Sequence, residues 1–447
     1  MDSSVNGIFF QRYVSECLQI KNIDEHHNGL KRKQKICTLS FFYFPFCIDF
    51  ENRPNVCINL LGVTMIKNFL SAIAIGCAFI ACESGTDAPP EYKGGNNNNN
   101  GNTSTVVPVD YTAGRIMNAR LGRGINLGNS WESTGSDDGG WGNPIRDTDF
   151  GIIKAAGFNS VRIPVQWSQD ADPVTHNVSP TRLAGVMEDI QLAINNGLAV
   201  VVNFHHYFQL NCYGGGYSSQ GCKYDATKFE QEKAHFLAMW ANLATALNVF
   251  PDSMLVLEIL NEPSIPSAGR VDSLMNDAYN VIRAVAPGKT IMFESYHLAK
   301  FYELASLHLP PDGNIIFSGH YYEPYQYSHQ GLGYACKGDL MKANSAKQDF
   351  DKYAIDAKKL YPDVNGVDHI PMNMGEFGVA GGPGTACPSD SSVSDAGKAE
   401  WAQKTVQAAW EHGISFHYWS FGPTTGFEAF DIYKETWYPG FPQALIF

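Results

Sequence analysis

The chain has 447 residues and a formal charge of −13 at neutral pH, long enough for one large α/β barrel or for two to three smaller domains. That acidity argues against nucleic acid or an anionic polymer as partner and suits a neutral substrate. Its 21 Tyr, 27 Phe and 8 Trp can fill a core, and those in loops would suit stacking on flat ring faces.

Residues 1–64 carry a basic cluster (Lys31, Arg32, Lys33, Lys35) and the run Phe41–Phe42–Tyr43–Phe44–Pro45–Phe46, with no helical or strand period. They read as an upstream over-translation, with Met65 as the true start. Residues 65–82 have the build of a secretion signal: Lys67 as the charged end, then an apolar stretch from Phe69 to Ala81. Small residues precede both Cys77 and Cys82, as in the lipobox of bacterial lipoproteins. Cys82 is the expected lipidated residue, because the apolar run reaches it and Glu83–Ser84–Gly85 follows; Cys77 is the other candidate. A plain cleaved signal or a single-pass anchor is the rival reading, although the run is short for a spanning helix. Residues 83–109, with Pro89–Pro90, Gly94–Gly95 and Asn96 to Asn100, read as a low-complexity tether. The expected location is therefore the bacterial cell envelope or outside the cell, with a lipid anchor the only tie to a membrane.

The folded part is expected over 110–447. Helix–glycine–strand junctions recur at Gly157, Gly197 and Gly413, where glycine supplies the left-handed residue that ends a helix. Ser179 and Pro180 open a helix whose Leu183, Val186, Met187, Ile190 and Ile194 share one face. A second long helix is expected from about Ala226 to Asn248. Eight strand candidates follow in order: Gly124–Asn126, Val161–Pro164, Val200–His205, Leu255–Asn261, Thr290–Ser295, Ile315–His320, Ile370–Glu376 and Ser415–Ser420. Apolar strands alternating with helices predict a parallel sheet, and polar or aromatic residues at nearly every strand end predict a (β/α)8 TIM barrel with its site there. A doubly wound sheet is the competitor, but no G-x-G-x-x-G follows the first strand.

Two glutamates close apolar runs, Glu262 after Leu255–Asn261 and Glu376 after Ile370–Gly375. A carboxylate at the end of a buried strand is costly unless pairing or function keeps it there. Two of them brought face to face are what glycoside hydrolysis requires; two structural ion pairs are the plainer alternative. The four cysteines beyond the signal, Cys212, Cys222, Cys336 and Cys387, lack C-x-x-C spacing and suit an oxidising compartment. Of their three possible pairings we expect Cys212–Cys222, for its short separation, and Cys336–Cys387, for its shared barrel face.

Seven stretches spread over the strands now matter together: Gly124–Ile125–Asn126–Leu127–Gly128–Asn129, Val161–Arg162–Ile163–Pro164, Asn203–Phe204–His205–His206–Tyr207, Asn261–Glu262–Pro263, His320–Tyr321–Tyr322, Gly375–Glu376–Phe377–Gly378 and Tyr418–Trp419. In these the chain resembles glycoside hydrolase family 5, the large cellulase and mannanase family, over essentially all of 111–447. The resemblance implies a retaining reaction with Glu262 as acid/base and Glu376 as nucleophile. It implies Arg162 and Tyr322 as the pair holding Glu376 ionised and aimed, with Asn126 a supporting residue beside them. Asn261 is then bound to a sugar 2-hydroxyl, and His205 and His320 bind hydroxyls or orient Glu262. His206 lines a neighbouring subsite or packs, and Trp419 forms the floor under the sugar. The close carboxylate Glu376 is expected to raise the pKa of Glu262.

No cofactor is expected. The His205–His206 pair has no third ligand at suitable spacing, which disfavours a metal centre. Trp131, Trp141, Trp167, Tyr207 and Tyr217 are loop aromatics that either stack on substrate or pack locally. The stretch from Glu428 to Phe447 contains no full final helix, and the loop from Asn211 to Lys223 is long. The expected activity is that of an endo-β-1,4-glucanase acting on a β-linked polysaccharide. Mannanase, xyloglucanase or lichenase activity is the close rival, and a non-catalytic glycan-binding lipoprotein is the rival from another class.

Overall fold

The computed structural model describes residues 19–27, 30–38, 106–133, 141–211, 226–341 and 345–447. The signal and lipobox region, most of the tether, Cys212, Tyr217 and Cys222 lie outside the described residues. The chain divides into two units, Met1–Ala78 and Phe79–Phe447. In the first, strands Gln19–His27 and Leu30–Thr38 pair antiparallel, although no strand period was expected there. The legible signal was Asn28–Gly29, the dipeptide favoured in two-residue hairpin loops, and not alternation.

In the second unit eight parallel strands close into a barrel among the described residues. They are β1 (Arg123–Asn126), β2 (Ser160–Ile163), β3 (Ala199–Asn203), β4 (Leu255–Glu258), β5 (Thr290–Glu294), β6 (Ile315–Tyr321), β7 (Met372–Phe377) and β8 (Ser415–Tyr418). Each pairs with its neighbour in sequence, and β8 closes on β1 through Phe416 to Tyr418. Helices α1 (Thr112–Leu121), α2 (Asp147–Ala155), α3 (Pro180–Asn195), α4 (Ala226–Leu247), α5 (Ala268–Val285), α6 (Ala346–Leu360) and α7 (Asp395–Trp410) accompany them. Ser179 caps α3 by accepting from the Arg182 amide (3.3 Å), and Pro180 stands at its first turn. After β8 the chain forms turns and a short ribbon, Phe430–Asp431 with Thr436–Trp437, in place of a long helix.

Period-two alternation along each strand sorts its side chains into two sets. Outward residues such as Val161, Ile163, Val200, Val202, Leu257 and Phe293 join the large core shared with the helices. Inward residues change character with height. Ala199, Val201, Val256, Met292 and Ile316 form an apolar plug with Met117 and Leu121 of α1. Beside them, on the β2, β6, β7 and β8 side of the interior, stand small or neutral polar groups, Ser160, Ser318, Asn373, Ser415 and His417, all buried, with Ser160 bonding the Leu121 carbonyl and Ser415 the Asn118 side chain of α1. His417 fits because position 124 is glycine, where a Cβ would come 2.3 Å from its ring. At the top the same inward rows end in Asn126, Arg162, Asn203, Glu258, Glu294 and His320.

Strict alternation from Asn373 would turn Glu376 outward. It does not, because the β6–β7 register shifts: Gly319 pairs with Met374, and His320 with Glu376. The extra residue is Gly375, and the bulge turns Glu376 inward beside His320. Gly375 has no room for a side chain, since a Cβ there would lie 2.7 Å from Ser318 Oγ.

The plug reaches up to the charged groups at Val201 and Met292, which pair with Arg162 and Glu258, while Leu121 of α1 lies at its far end. Leu121→Ala should therefore lower unfolding free energy by about 2–5 kcal/mol. Activity per folded molecule should change little. Urea unfolding followed by intrinsic fluorescence, alongside steady-state rates, tests this separation.

Candidate active site

At the C-terminal mouth of the barrel the buried guanidinium of Arg162 binds four side chains. Nε and Nη2 grip Glu258 at 2.8 and 2.7 Å, and Nη1 donates to Glu376 (2.8 Å) and Asn126 (2.9 Å). Nη2 also donates to Asn261 Oδ1 (2.6 Å). Asn126 is fixed in turn, its amide donating to the carbonyls of Gly375 and His417 at 3.0 and 2.9 Å. Tyr322 places its hydroxyl 3.0 Å from the second oxygen of Glu376. His320 donates from Nδ1 to Glu262 (2.9 Å) and from Nε2 to Glu294 (3.1 Å).

Glu262 stands beyond its strand and not on its last rung, because β4 stops at Glu258. Its φ of +46° is left-handed, a strained choice for glutamate, and neighbours hold it there. Its amide donates to Glu294 Oε2 at 2.5 Å, and its carbonyl accepts from Asn211 Nδ2 at 2.9 Å. An oxygen of Glu262, an oxygen of Glu376 and a ring nitrogen of His320 all fall within 4.8 Å of one another. Both nitrogens of His320 already serve carboxylates and Glu376 already serves an arginine. The bonding of this trio is that of an ion-pair network and does not resemble a metal cage.

The carboxyls differ sharply in affinity for protons. Burial alone would raise Glu258, but Arg162 outweighs it and holds the group at about 2. Glu294 has no such grip; burial, and then the charge of Glu258, keep it well above the usual carboxylate range against the pull of His320. Burial raises Glu376 as well, with His320 and Arg162 opposing and Glu262 adding to the rise. His320 would be lowered by burial, yet Glu376, Glu294 and its bonds to Glu262 and Glu294 raise it well above the ordinary imidazole value. It is therefore the second cation of the cluster. His205 is pushed well down and His206 to about 4, both chiefly by burial, so both are neutral rings at neutral pH.

Trp419 lies at the open side of this cluster. Its indole stacks parallel to His205 at 5.8 Å and rests against Gly128, where a Cβ would come within 2.7 Å of it. The turn carrying Gly128 is held by Glu132, which accepts from the amides of Asn129 and Ser130 (2.9 Å to Ser130) and is lifted by burial to about 7. Asn261 keeps its amide nitrogen buried and without a partner among the described residues, a donor left over for a ligand hydroxyl.

The structure thus brings together Asn126, Arg162, His205, Asn261, Glu262, His320, Tyr322, Glu376 and Trp419. His206 adjoins them edge-on to His205 at 4.4 Å and stacked on Phe208 at 5.5 Å. Three loop aromatics offered as platforms pack internally. Trp131 donates to Asp189 (2.6 Å), Trp167 to the Asn203 carbonyl (2.8 Å) and Tyr207 to Glu232 (2.7 Å), and all three are buried. Trp141 is 43% exposed and lies against His206. Cys336 and Cys387 are bridged, with Cα atoms 5.5 Å apart. Glu258, Glu294, Asn203 and Asn211 were missed as site residues. A carboxylate ending the otherwise apolar Leu255–Glu258 and another ending Thr290–Glu294 were the available signals.

A closed parallel barrel with two close carboxylates, an arginine and aromatic walls at its C-terminal mouth is the arrangement of a glycosidase-type barrel protein. The family model described as cellulase (glycosyl hydrolase family 5) matches residues 122–425, and the chain belongs to that family. Endoglucanase H of Acetivibrio thermocellus is 23% identical over 307 residues, 68% of this chain and 30% of that protein. A xyloglucan-specific endo-beta-1,4-glucanase of Bacteroides ovatus is 26% identical over 59% of this chain and 56% of its own length. The chain therefore spans about a third to just over half of these two relatives. A crystal structure of a hyperthermophilic endo-beta-1,4-glucanase in complex with substrate superposes with a TM-score of 0.62 at 27% identity, covering 75% of this chain and 100% of that one.

Glu258→Gln leaves Arg162 buried with half its bidentate partner. Stability should fall by about 3–5 kcal/mol at neutral pH. Because folding depresses the pKa of Glu258 from 4.5 to about 2, its contribution is full above 4.5 and is lost as pH falls toward 2. The gap between wild type and variant in urea unfolding should therefore narrow from pH 7 to pH 3.

Proposed function

We propose that the protein is a retaining endo-β-1,4-glucanase, cleaving internal bonds of a β-linked glucan by double displacement. One observation carries this: the Glu262 and Glu376 carboxylates, from separate strand ends, have oxygens within 4.8 Å, close to the ~5–5.5 Å carboxyl spacing of retaining enzymes and short of the inverting range. Glu376, aimed by Arg162 and Tyr322, attacks the anomeric carbon, while Glu262 gives its proton to the departing oxygen. The covalent glycosyl ester is then opened by a water whose proton returns to Glu262. His320 orients Glu262 throughout, and the spare Asn261 amide N–H donates to the sugar 2-hydroxyl. Trp419 supports the apolar face of the ring at the cleavage point.

The family membership and the endoglucanase relatives support the chemistry. The Bacteroides ovatus relative makes xyloglucan the first competitor to unbranched glucan, with mannan and mixed-linkage glucan behind. Hydrolysis of carboxymethylcellulose, lichenan, xyloglucan, mannan and xylan, with product sizing, ranks them. Early proton NMR should give the β-anomer first; an initial α-anomer removes the assignment of Glu376 as nucleophile.

The two carboxyl variants should fail differently. Glu376→Gln stops glycosyl ester formation for every leaving group, whereas Glu262→Gln should retain turnover best on activated aryl glycosides, which need little protonation. Burial lifts Glu376, so kcat/KM should fall on the acid side at an apparent pKa above 4.5 that belongs to the coupled cluster. Equal loss in both variants on natural and activated substrates contradicts the roles.

We also propose that the mature protein begins at a lipidated Cys82 and is displayed on a tether, a reading supported by the apolar run from Phe69 and the Ala81–Cys82 junction. Mass spectrometry of protein expressed with its own leader should find fatty acid on Cys82 and no residues 1–81. An unprocessed N-terminus rejects it.

A further inference from the structure

β5 ends in a buried carboxyl, Glu294, and then in a strained turn. The φ angles of His297, Leu298 and Ala299 are 57°, 62° and 58°. None of the three is glycine, and non-glycine residues adopt left-handed backbone singly and seldom in runs, so neighbours must hold this turn in place. The Ser295 hydroxyl donates to the Lys300 carbonyl at 2.8 Å, and the Ala299 amide to the Ser295 carbonyl at 3.2 Å. So closed, the turn directs the Leu298 amide to the Pro263 carbonyl at 3.3 Å and brings Lys300 to bridge His320 of β6. What it grips is the residue after Glu262.

Glu294 grips Glu262 itself. Its Oε2 accepts from the Glu262 amide at 2.5 Å, and its Oε1 accepts from Nε2 of His320 at 3.1 Å. The other ring nitrogen of His320 donates to the Glu262 carboxyl at 2.9 Å. Backbone and carboxyl of Glu262 are therefore fixed by bonds that lead back to one side chain. Burial, and then the charge of Glu258, keep Glu294 protonated against the pull of His320, and its remaining hydrogen bond is to Glu258. A carboxylic acid offers two acceptor oxygens and one donor together. An amide has a single acceptor oxygen and cannot receive both His320 and the Glu262 amide.

We infer that Glu294 is a positioning residue for proton donation: through the Glu262 amide and through His320 it aims the acid/base carboxyl at the departing oxygen. This deepens the proposed hydrolase reading and rests on it. The effect is confined to one partner of the pair, because Glu376 takes its hydrogen bonds from Arg162 and Tyr322, at 2.8 and 3.0 Å. Changing Glu294 should leave the attack on the anomeric carbon aimed and the proton delivery misaimed.

Aryl β-cellobiosides of graded leaving-group acidity separate these two events, since kcat/KM reports formation of the glycosyl ester and a poor leaving group needs the proton most. Rates are taken per functional site, counted by the burst from a 2-deoxy-2-fluoro cellobioside, so that partly folded protein does not enter. In Glu294→Ala the ratio of kcat/KM on phenyl β-cellobioside to that on 2,4-dinitrophenyl β-cellobioside should fall about a hundredfold. Glu294→Gln, which keeps one acceptor, should fall between wild type and Glu294→Ala. A loss of activity equal for both leaving groups, as a merely structural role would give, or an unchanged ratio, overturns the assignment. Absence of turnover on both aryl cellobiosides and on cellopentaose in the wild-type enzyme would instead reject the underlying hydrolase reading.

Discussion

Arg162 is fully buried, so each of its five N–H groups must find an acceptor or carry a large desolvation penalty. All five do: one on Nε, two each on Nη1 and Nη2, shared among Glu258, Asn126, Glu376 and Asn261. This requirement fixes four side chains from β1, β4, the turn after β4 and β7 in one plane around one charge. Removing Arg162 would strand several polar groups, and no neutral side chain of its size offers five donors in a rigid fork. The guanidinium thus does more than balance charge: it sets the distances on which the carboxylate pair depends.

The same cation explains why neighbouring glutamates behave differently. Glu258 takes the bidentate grip and is ionised at any ordinary pH. Glu376 takes a single arginine bond and shares its other oxygen with a neutral phenol. Glu294, 3.6 Å from the guanidinium and beside an ionised neighbour, favours its protonated form. Its place is structural and electrostatic: it receives the Glu262 amide and the His320 ring, and so fixes a strained residue at φ +46°. One buried charge, with geometry deciding how it is divided, turns chemically identical side chains into an anchor, a nucleophile candidate and a proton-holding brace.

Much of this was legible in the sequence. The eight strands, their parallel order and the residues at their ends follow from apolar runs separated by helix–glycine junctions, and Arg162, Asn261, Glu262, His320, Tyr322 and Glu376 meet as the family resemblance implied. The inward orientation of Glu376 was not derivable from alternation, because it depends on the bulge at Gly375, and a bulge is a property of two strands paired. Glu258 was visible but not interpretable; only the pairing of β4 with its neighbours shows which arginine it serves. The loop aromatics were least legible. Trp131, Trp167 and Tyr207 share composition and position with Trp141, yet each of the three has a polar partner for its N–H or O–H inside the protein, and that partner cannot be found by counting along the chain.

The inward rows of the barrel also separate two demands that a single core cannot meet. An apolar plug at the bottom supplies burial without polar penalties, and α1 seals it. A charged layer at the top would destabilise any fold that had to close around it unaided, because buried ions seldom recover their desolvation cost. Serines, an asparagine and a neutral histidine fill the side of the interior beside the plug. Ser160 bonds His417 at 3.1 Å, and Asn373 bonds Ser415 at 2.7 Å. These short neutral links satisfy one another. With the ionic layer supported from below and held laterally by Arg162, the loops are free to vary in length, aromatic content and covalent bracing. It is in those loops that the proposed glucanase would choose its substrate.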